Sequence, residues 1–289
     1  MIKILILGSK GMAGHVLFDI LSSQNKYSVY GLARGIESTD RTFNLDVTDI
    51  EGLNNIIQKN DFDIVINCIG ILNKDAENNP AKAIWFNSYF PHYLENITRN
   101  TNVKIIHIST DCVFSGKRGS YTENDFRDGT GFYATSKALG ELENEKDLTI
   151  RTSIIGPELN PKGIGLFHWF MTHSMDDKLQ GFSQVFWSGL TTIELADIVI
   201  QSIDANLTGL RIASVVPSID KFTLLKKFNS VFSNDLHVIT EKDDYKSNKS
   251  LISTKKDFHY IISNYDVMLY NMKKYLISKS ATYPHYNIH

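Results

Sequence analysis

Tyr133 and Lys137 stand four residues apart in "YATSK", a spacing that puts both side chains on one face of a helix. A tyrosine hydroxyl titrates near ~10 on its own, and it becomes an effective acid or base near neutrality only where a cation lowers that value. Lys137 is placed to do so. Upstream, the apolar run Val103–Ser109 leads straight into Thr110 and Asp111, so a small hydroxyl stands where a strand ends. Thr110 can hold a substrate oxygen beside the Tyr133 hydroxyl, which makes Thr110, Tyr133 and Lys137 a general acid–base set. The plainer alternative is that "YATSK" only starts an amphipathic helix.

A second cluster points to a cofactor. Gly8, Gly11 and Gly14 form "GSKGMAG", directly after the apolar run Ile2–Leu7 and at the opening of a helix over Ala13–Ser22. Glycines there allow a tight turn and close approach of backbone to a pyrophosphate, with the helix N-terminus behind it. Ser9, Lys10 and Met12 share that loop. The second strand, Tyr27–Ala33, runs into Arg34, whose guanidinium suits the 2′-phosphate of NADPH better than the ribose of NADH, which stays an option. Asp46 and Val47 end a third strand, Thr42–Val47, where a carboxylate can accept from an adenine amino group; otherwise Asp46 or Asp49 caps the next helix. The fourth strand, Asp63–Ile69, ends in Cys68, Ile69 and Gly70. Those three residues and Ser109 of the fifth strand are expected against the cofactor, because ligands of an open parallel sheet sit at the carboxyl ends of its strands.

The elements that must position these residues alternate. Strands that are apolar throughout are separated by helical segments at Ile50–Lys59, Pro80–Asn100 and Tyr133–Asn144, and a sixth strand covers Leu148–Ile155. This predicts an α/β fold with a Rossmann-type, doubly wound parallel sheet over residues 1–156. From Pro157–Gly165 the rhythm changes. Residues 157–289 read as a smaller mixed α/β substrate-binding lobe, partly interleaved with the first domain. Its segments are the aromatic Leu166–Met171, a helix at Ile193–Asp204, a strand at Leu210–Val216, a helix at Phe222–Phe232, a strand at Leu236–Thr240 and a last helix at Tyr265–Ser278. The aromatic run from Phe167 to Phe170 reads as core, His168 and His173 as satisfied or surface histidines, and the tail Ala281–His289 as a frayed end. Lys162 and Arg211 are candidates for a substrate diphosphate.

The 289 residues carry a net charge of -2, with 42% hydrophobic and 21% charged residues. Acids and bases are interspersed, which argues against nucleic-acid binding. No stretch is long and apolar enough for a membrane span, and the N-terminal run is too short for a signal peptide. Two cysteines, Cys68 and Cys112, make no disulfide framework, which suits a cytoplasmic protein with free thiols. No metal site is expected.

The glycine loop with Thr110, Tyr133 and Lys137 resembles the extended short-chain dehydrogenase/reductase family. More narrowly, "STDCVFSGKRGSYTENDF", "YATSKALGE" and "KDAENNPAKAIWFN" are similar to dTDP-4-dehydrorhamnose reductases. The likeness runs from residue 1 to about residue 155, with "RTSIIG" and "TTIELADIV" in matching places near and beyond its end. It implies an NADPH-dependent reductase of a nucleotide-activated 4-keto-6-deoxy sugar in deoxysugar and surface-polysaccharide biosynthesis, with a homodimer allowed. In that scheme Thr110 bonds the substrate carbonyl oxygen and Tyr133 donates the proton. Lys137 binds the nicotinamide ribose and lowers the Tyr133 pKa, and Asn87 helps order the site. Asp111, Cys112, Val113, Phe114 and Trp187 are expected on the substrate side. Two positions depart: Cys112 replaces the family's Tyr, and Ile154 replaces its aromatic, which leaves the sugar open. An epimerase or dehydratase on the same frame is the alternative, although Cys112 stands where a dehydratase has Glu. A third reading is a non-catalytic NADP-binding subunit, like the regulatory subunit of methionine adenosyltransferase.

Overall fold

Seven parallel strands form the central sheet of the computed structural model, which describes residues 1–174 and 177–288. Its first six strands are β1 (Ile2–Leu7), β2 (Tyr27–Ala33), β3 (Thr42–Asn44), β4 (Ile64–Asn67), β5 (Lys104–Thr110) and β6 (Leu148–Thr152). The helices between them are α1 (Met12–Ser22), α2 (Ile50–Lys59), α3 (Asn73–Asn78), α4 (Pro80–Ala83), α5 (Phe90–Thr98) and α6 (Gly131–Leu139). The second half adds β7 (Ile154–Ile155), β8 (Lys178–Phe182), β9 (Val185–Trp187), β10 (Leu190–Thr191), β11 (Gly209–Ile212), β12 (Ile219–Asp220), β13 (Val238–Lys242) and β14 (Ser247–Asn248). Its helices are α7 (Leu166–Thr172), α8 (Thr192–Asp204), α9 (Lys221–Phe232) and α10 (Tyr265–Ser278).

The strand order is β3-β2-β1-β4-β5-β6-β11. Successive residues of β1 serve opposite faces: Ile4 and Ile6 join one core with Leu17, Leu195 and Met272, while Leu5 and Leu7 join the other with Leu53, Phe90 and Leu94. Ile4 to Leu7 are all fully buried, which is why that stretch of β1 is apolar at successive positions rather than alternating. The order reverses between β1 and β4, and the crevice above that switch point is where such sheets take ligands.

Several boundaries differ from the sequence reading. The third strand stops at Asn44 instead of Val47. The strand expected over Leu148–Ile155 breaks at Ser153 into β6 and β7, and β7 leaves the sheet to pair with β10. The break is fixed by long-range bonds, because the Ser153 carbonyl accepts from Leu190 N at 2.8 Å and its hydroxyl from the Trp187 indole at 2.9 Å. The helix carrying Tyr133 runs only from Gly131 to Leu139. The long helix after β4 is continuous from Pro80 but contains a π turn at Ile84–Tyr89, and α3 precedes it where no helix was expected. The strand near Leu210 is shorter than predicted and extends the central sheet beside β6, while the one near Leu236 is β13, paired with β8.

The tail is docked rather than frayed. Tyr283 and Tyr286 are buried. The Tyr283 hydroxyl is 2.7 Å from His15 Nε2 on α1, and the opposite ring nitrogen, Nδ1, bonds the Gly11 carbonyl at 2.8 Å. The Tyr286 hydroxyl accepts from Glu158 N at 3.0 Å and lies 2.8 Å from His168 Nδ1. His289 lies outside the described residues. Because Tyr286 fills space against Phe167 and the Glu158 turn, Tyr286→Ala should cost about 3 kcal/mol, read as a lower midpoint in urea unfolding; an unchanged midpoint would mean that the tail is not packed.

Candidate functional site

The crevice is a cleft of about 350 Å³. Gly8, Lys10 and Gly11 line one wall, Arg34, Asp46 and Val47 a second, and Cys68, Ile69 and Gly70 a third. The first wall depends on glycine: Gly8 has φ +81°, and a Cβ on Gly14 would lie 2.2 Å from the Gly8 carbonyl oxygen. Met12 opens α1. Ser9 does not face a ligand with its N–H, which is bonded to the Leu32 carbonyl at 3.2 Å. Lys82 and Phe86 also border the cleft, and sequence reading did not single them out.

The charges at the mouth are arranged for an anion beyond β2. Arg34 is exposed and pairs with Asp46 at 3.2 Å, while Lys10 Nζ reaches the Gly35 carbonyl at 3.3 Å. Asp46 is held below the usual carboxylate range, first by the backbone N–H of Thr48 and further by the Thr48 hydroxyl and Arg34. Asp49 is the cap of α2, accepting from Gly52 N at 2.9 Å. The cap is therefore Asp49, and Asp46 stays at the cleft.

Thr110 ends β5, where its hydroxyl accepts from Cys112 N and donates to Asp111 Oδ1, both at 3.1 Å. Tyr133 lies on α6 with its hydroxyl close enough to the Thr110 side chain for its pKa to be lowered slightly by it. Burial pushes the Tyr133 hydroxyl up, and Cys112 and Asp111 push it the same way. The net effect on Tyr133 is upward rather than the lowering expected from Lys137, whose Nζ is turned into the sheet, 2.8 Å from the Ile108 carbonyl and 3.3 Å from His107 Nε2. Burial itself lowers Lys137 to about 8, against the pull of Glu141.

The N-terminus of α6 is anchored from α3. The Glu77 carboxylate accepts from Phe132 N at 3.1 Å and Tyr133 N at 3.0 Å, a charge-assisted cap at the positive end of the helix. Asn87, in the π turn, bonds both the N–H and the carbonyl of Ile71, at 2.8 and 2.9 Å, and donates to Ser136 at 3.0 Å. It braces the loop after β4 against α6 and presents no free polar group to the cleft.

Other expected contacts fall elsewhere. The Ser109 hydroxyl is turned to the buried Glu141, to which it donates at 2.6 Å, since alternate residues of β5 face opposite sides. Glu141 also takes two bonds from the fully buried Arg151, at 2.8 and 2.6 Å. Burial opposes its charge, but Arg151 holds it below the ordinary range. Val113 and Phe114, expected on the substrate side, are fully buried, with Phe114 stacking on Tyr121 at 4.2 Å. Trp187 is core, packed on Tyr265 with its indole N–H bonded to Ser153. Cys112 remains half-buried at the site, its thiol pushed up to about 11 by burial and by Asp111. Asp111 is raised by burial and pulled back by Lys249 and Lys221, two cations that sequence reading missed because the fold brings them in from distant segments. Arg211 is committed to Asp257, Lys162 is exposed, and His168 and His173 bond Tyr286 and the Trp169 carbonyl. No three His, Cys, Asp or Glu among the described residues could hold a metal ion together, and no described helix is long and apolar enough to cross a membrane.

A doubly wound parallel sheet with a glycine loop after β1, and Thr, Tyr and Lys gathered over the end of β5, defines a dinucleotide-dependent dehydrogenase/reductase of the short-chain type. Within that class the chain belongs to the family of the RmlD substrate binding domain, whose model matches residues 2–159. It is 28% identical over 245 residues to a Haloferax volcanii protein named "Probable low-salt glycan biosynthesis reductase Agl14", covering 82% of this chain and 74% of that one. It is 31% identical over 159 residues to the dTDP-4-dehydrorhamnose reductase of Aggregatibacter actinomycetemcomitans, spanning about half of each (53% and 51%). The crystal structure of dTDP-4-dehydrorhamnose reductase from Bacillus anthracis in complex with NADP superposes with a TM-score of 0.80 at 20% identity, over 94% of this chain and 98% of that one, which shows the shared fold.

Because Glu77 sets where α6 begins, Glu77→Ala should displace Tyr133. The expected result is a loss of about 1 kcal/mol in stability and roughly a tenfold lower kcat, measured by urea unfolding and steady-state kinetics. An unchanged kcat would show that α6 is fixed without this cap.

Proposed function

We propose that this protein reduces the keto group of a nucleotide-activated 4-keto-6-deoxy sugar at the expense of NADPH. The observation that carries the reading is the placing of Tyr133, on an α6 anchored by Glu77 and Lys137, near the Thr110 side chain that ends β5. A carbonyl oxygen held between the two hydroxyls would have both within reach. The raised Tyr133 pKa keeps its proton in place at neutral pH, the state a proton donor needs, since an acid stays protonated below its pKa. Gly8, Gly11 and the start of α1 suit the pyrophosphate of the cofactor, Arg34 and Lys10 its 2′-phosphate, and Cys68, Ile69 and Gly70 the path toward its nicotinamide, which supplies the hydride when bound. Lys249 and Lys221, close enough to act on Asp111, are suited to the substrate's diphosphate.

The substrate class follows from the family and from what its relatives are named for, and this route of synthesis draws on pools of NADPH and nucleotide sugar in the cytoplasm. A dehydratase needs a proton donor where Cys112 stands. A thiol pushed up to about 11 is a poor acid for that task, which favours simple reduction.

The test is NADPH oxidation with a panel of nucleotide 4-keto-6-deoxy sugars; no turnover with any of them would overturn the reading. Tyr133→Phe should lower kcat roughly a thousandfold, within the range of general acid catalysis, while NADPH affinity holds. Arg34→Ala should weaken NADPH binding about tenfold, the scale of one charge-assisted bond, and leave NADH binding unchanged. Equal losses for both cofactors would remove Arg34 from the phosphate contact.

A further inference from the structure

His107 lies inside β5 with no exposed surface, between Asn67 at the end of β4 and Lys137 on α6. Its Nδ1 is 3.2 Å from Asn67 Nδ2 and its Nε2 is 3.3 Å from Lys137 Nζ. The Asn67 amide has only one workable orientation, because its Oδ1 accepts the Ile69 backbone N–H at 3.1 Å and an N–H can only donate. The amide nitrogen therefore faces the ring, and Nδ1 must accept. Burial holds His107 far below its usual pKa, so the ring is neutral. A neutral imidazole has one donor and one acceptor, which puts the hydrogen on Nε2, aimed at Lys137. An ammonium has three donors and no acceptor, whereas an amine has a lone pair. All bonds close only with Lys137 as the amine, taking the Nε2 hydrogen and giving one of its own to the Ile108 carbonyl at 2.8 Å.

We propose that His107, oriented by Asn67, is a positioning residue that favours the amine form of Lys137 in the cofactor-free protein. Charging Lys137 in place requires the ring hydrogen to move to Nδ1 and Asn67 to turn over, which breaks its bond to Ile69. The other groups facing the pair do not supply an alternative acceptor. The Cys68 thiol stays protonated, pushed up to about 12 by burial. Glu141 favours the charge on Lys137 from a distance but is bound to Arg151 and Ser109. His92 of α5 acts on His107 only by lowering it further. The inference rests on the reductase reading for its purpose. Tyr133 gives its proton to the substrate oxygen and must regain one from solvent, and a Lys137 poised near neutrality can pass that proton inward.

The test uses the full chain without cofactor or substrate. Long-range ¹H–¹⁵N spectra should show His107 neutral with its hydrogen on Nε2, and a hydrogen on Nδ1 would overturn the proposal. Asn67→Asp places an acceptor opposite Nδ1, draws the hydrogen there and leaves Nε2 free to accept from an ammonium. The Lys137 titration, followed at its ¹³Cε, should then rise by about one pH unit or more, a tenfold gain in proton affinity. His107→Gln, which can turn a carbonyl toward Lys137, should move it in the same direction, so that poor folding of one variant leaves the other decisive. An unmoved titration in a folded variant would refute the proposal. A loss of packing alone would lower stability without this spectroscopic change. These readouts need no turnover: failure of the wild type to oxidise NADPH sinks the reductase reading alone, and normal turnover with a hydrogen on Nδ1 sinks this inference alone.

Discussion

One buried contact ties the chemistry to the scaffold: the Lys137 side chain enters the sheet and gives a hydrogen to the Ile108 carbonyl at 2.8 Å. That amine fixes how α6 lies over β5, and so how far Tyr133 stands from Thr110. The helix is held at its other end by Glu77 and along its flank by Asn87 and Ser136. A helix of nine residues would not keep such an orientation by propensity alone, since short helices owe their stability to packing. Three polar anchors from three different elements give it one position, which the convergence of two hydroxyls requires.

The glycine loop, the apolar strands and the Thr110, Tyr133 and Lys137 set were legible in the chain because each rests on local rules. A parallel strand buried on both faces is rich in apolar residues at successive positions, and residues 133 and 137 share a helix face whatever surrounds them. The parts that were not legible depend on partners far along the chain. Ser109 and Thr110 are neighbours of similar polarity, yet one feeds the buried Glu141–Arg151 pair and the other bonds Asp111 and the Cys112 N–H beside Tyr133; only the register of β5 decides which. Trp187 and Phe114 read as ligand-facing aromatics but fill cores. The strand expected through Ile155 breaks because Leu190 and Trp187 claim Ser153. Glu77 gave no sign of its role, since the helix it caps starts more than fifty residues later.

Burial also separates the titrating groups near the site. It drives Tyr133 and both thiols toward their neutral forms and lowers Lys137 toward neutral pH. Charge is retained where a partner is built in, as between Glu141 and Arg151. The centre of the site is thus poor in fixed charge, and the cations that remain, Arg34, Lys10, Lys221 and Lys249, lie at its edges. Such a layout suits ligands that carry phosphates at their ends and a neutral reacting group between them.

The link between His15 and Tyr283 spans 268 positions of sequence. His15 belongs to α1, and its ring also holds the Gly11 carbonyl of the glycine loop. The glycine loop is thus braced, through one ring, by the tail segment that carries Tyr283. The clasp beneath the nucleotide cleft is thereby a contact of very high sequence separation, whose loop-closure entropy must be met before it stabilises anything, so the cleft is among the last parts of the fold to be secured.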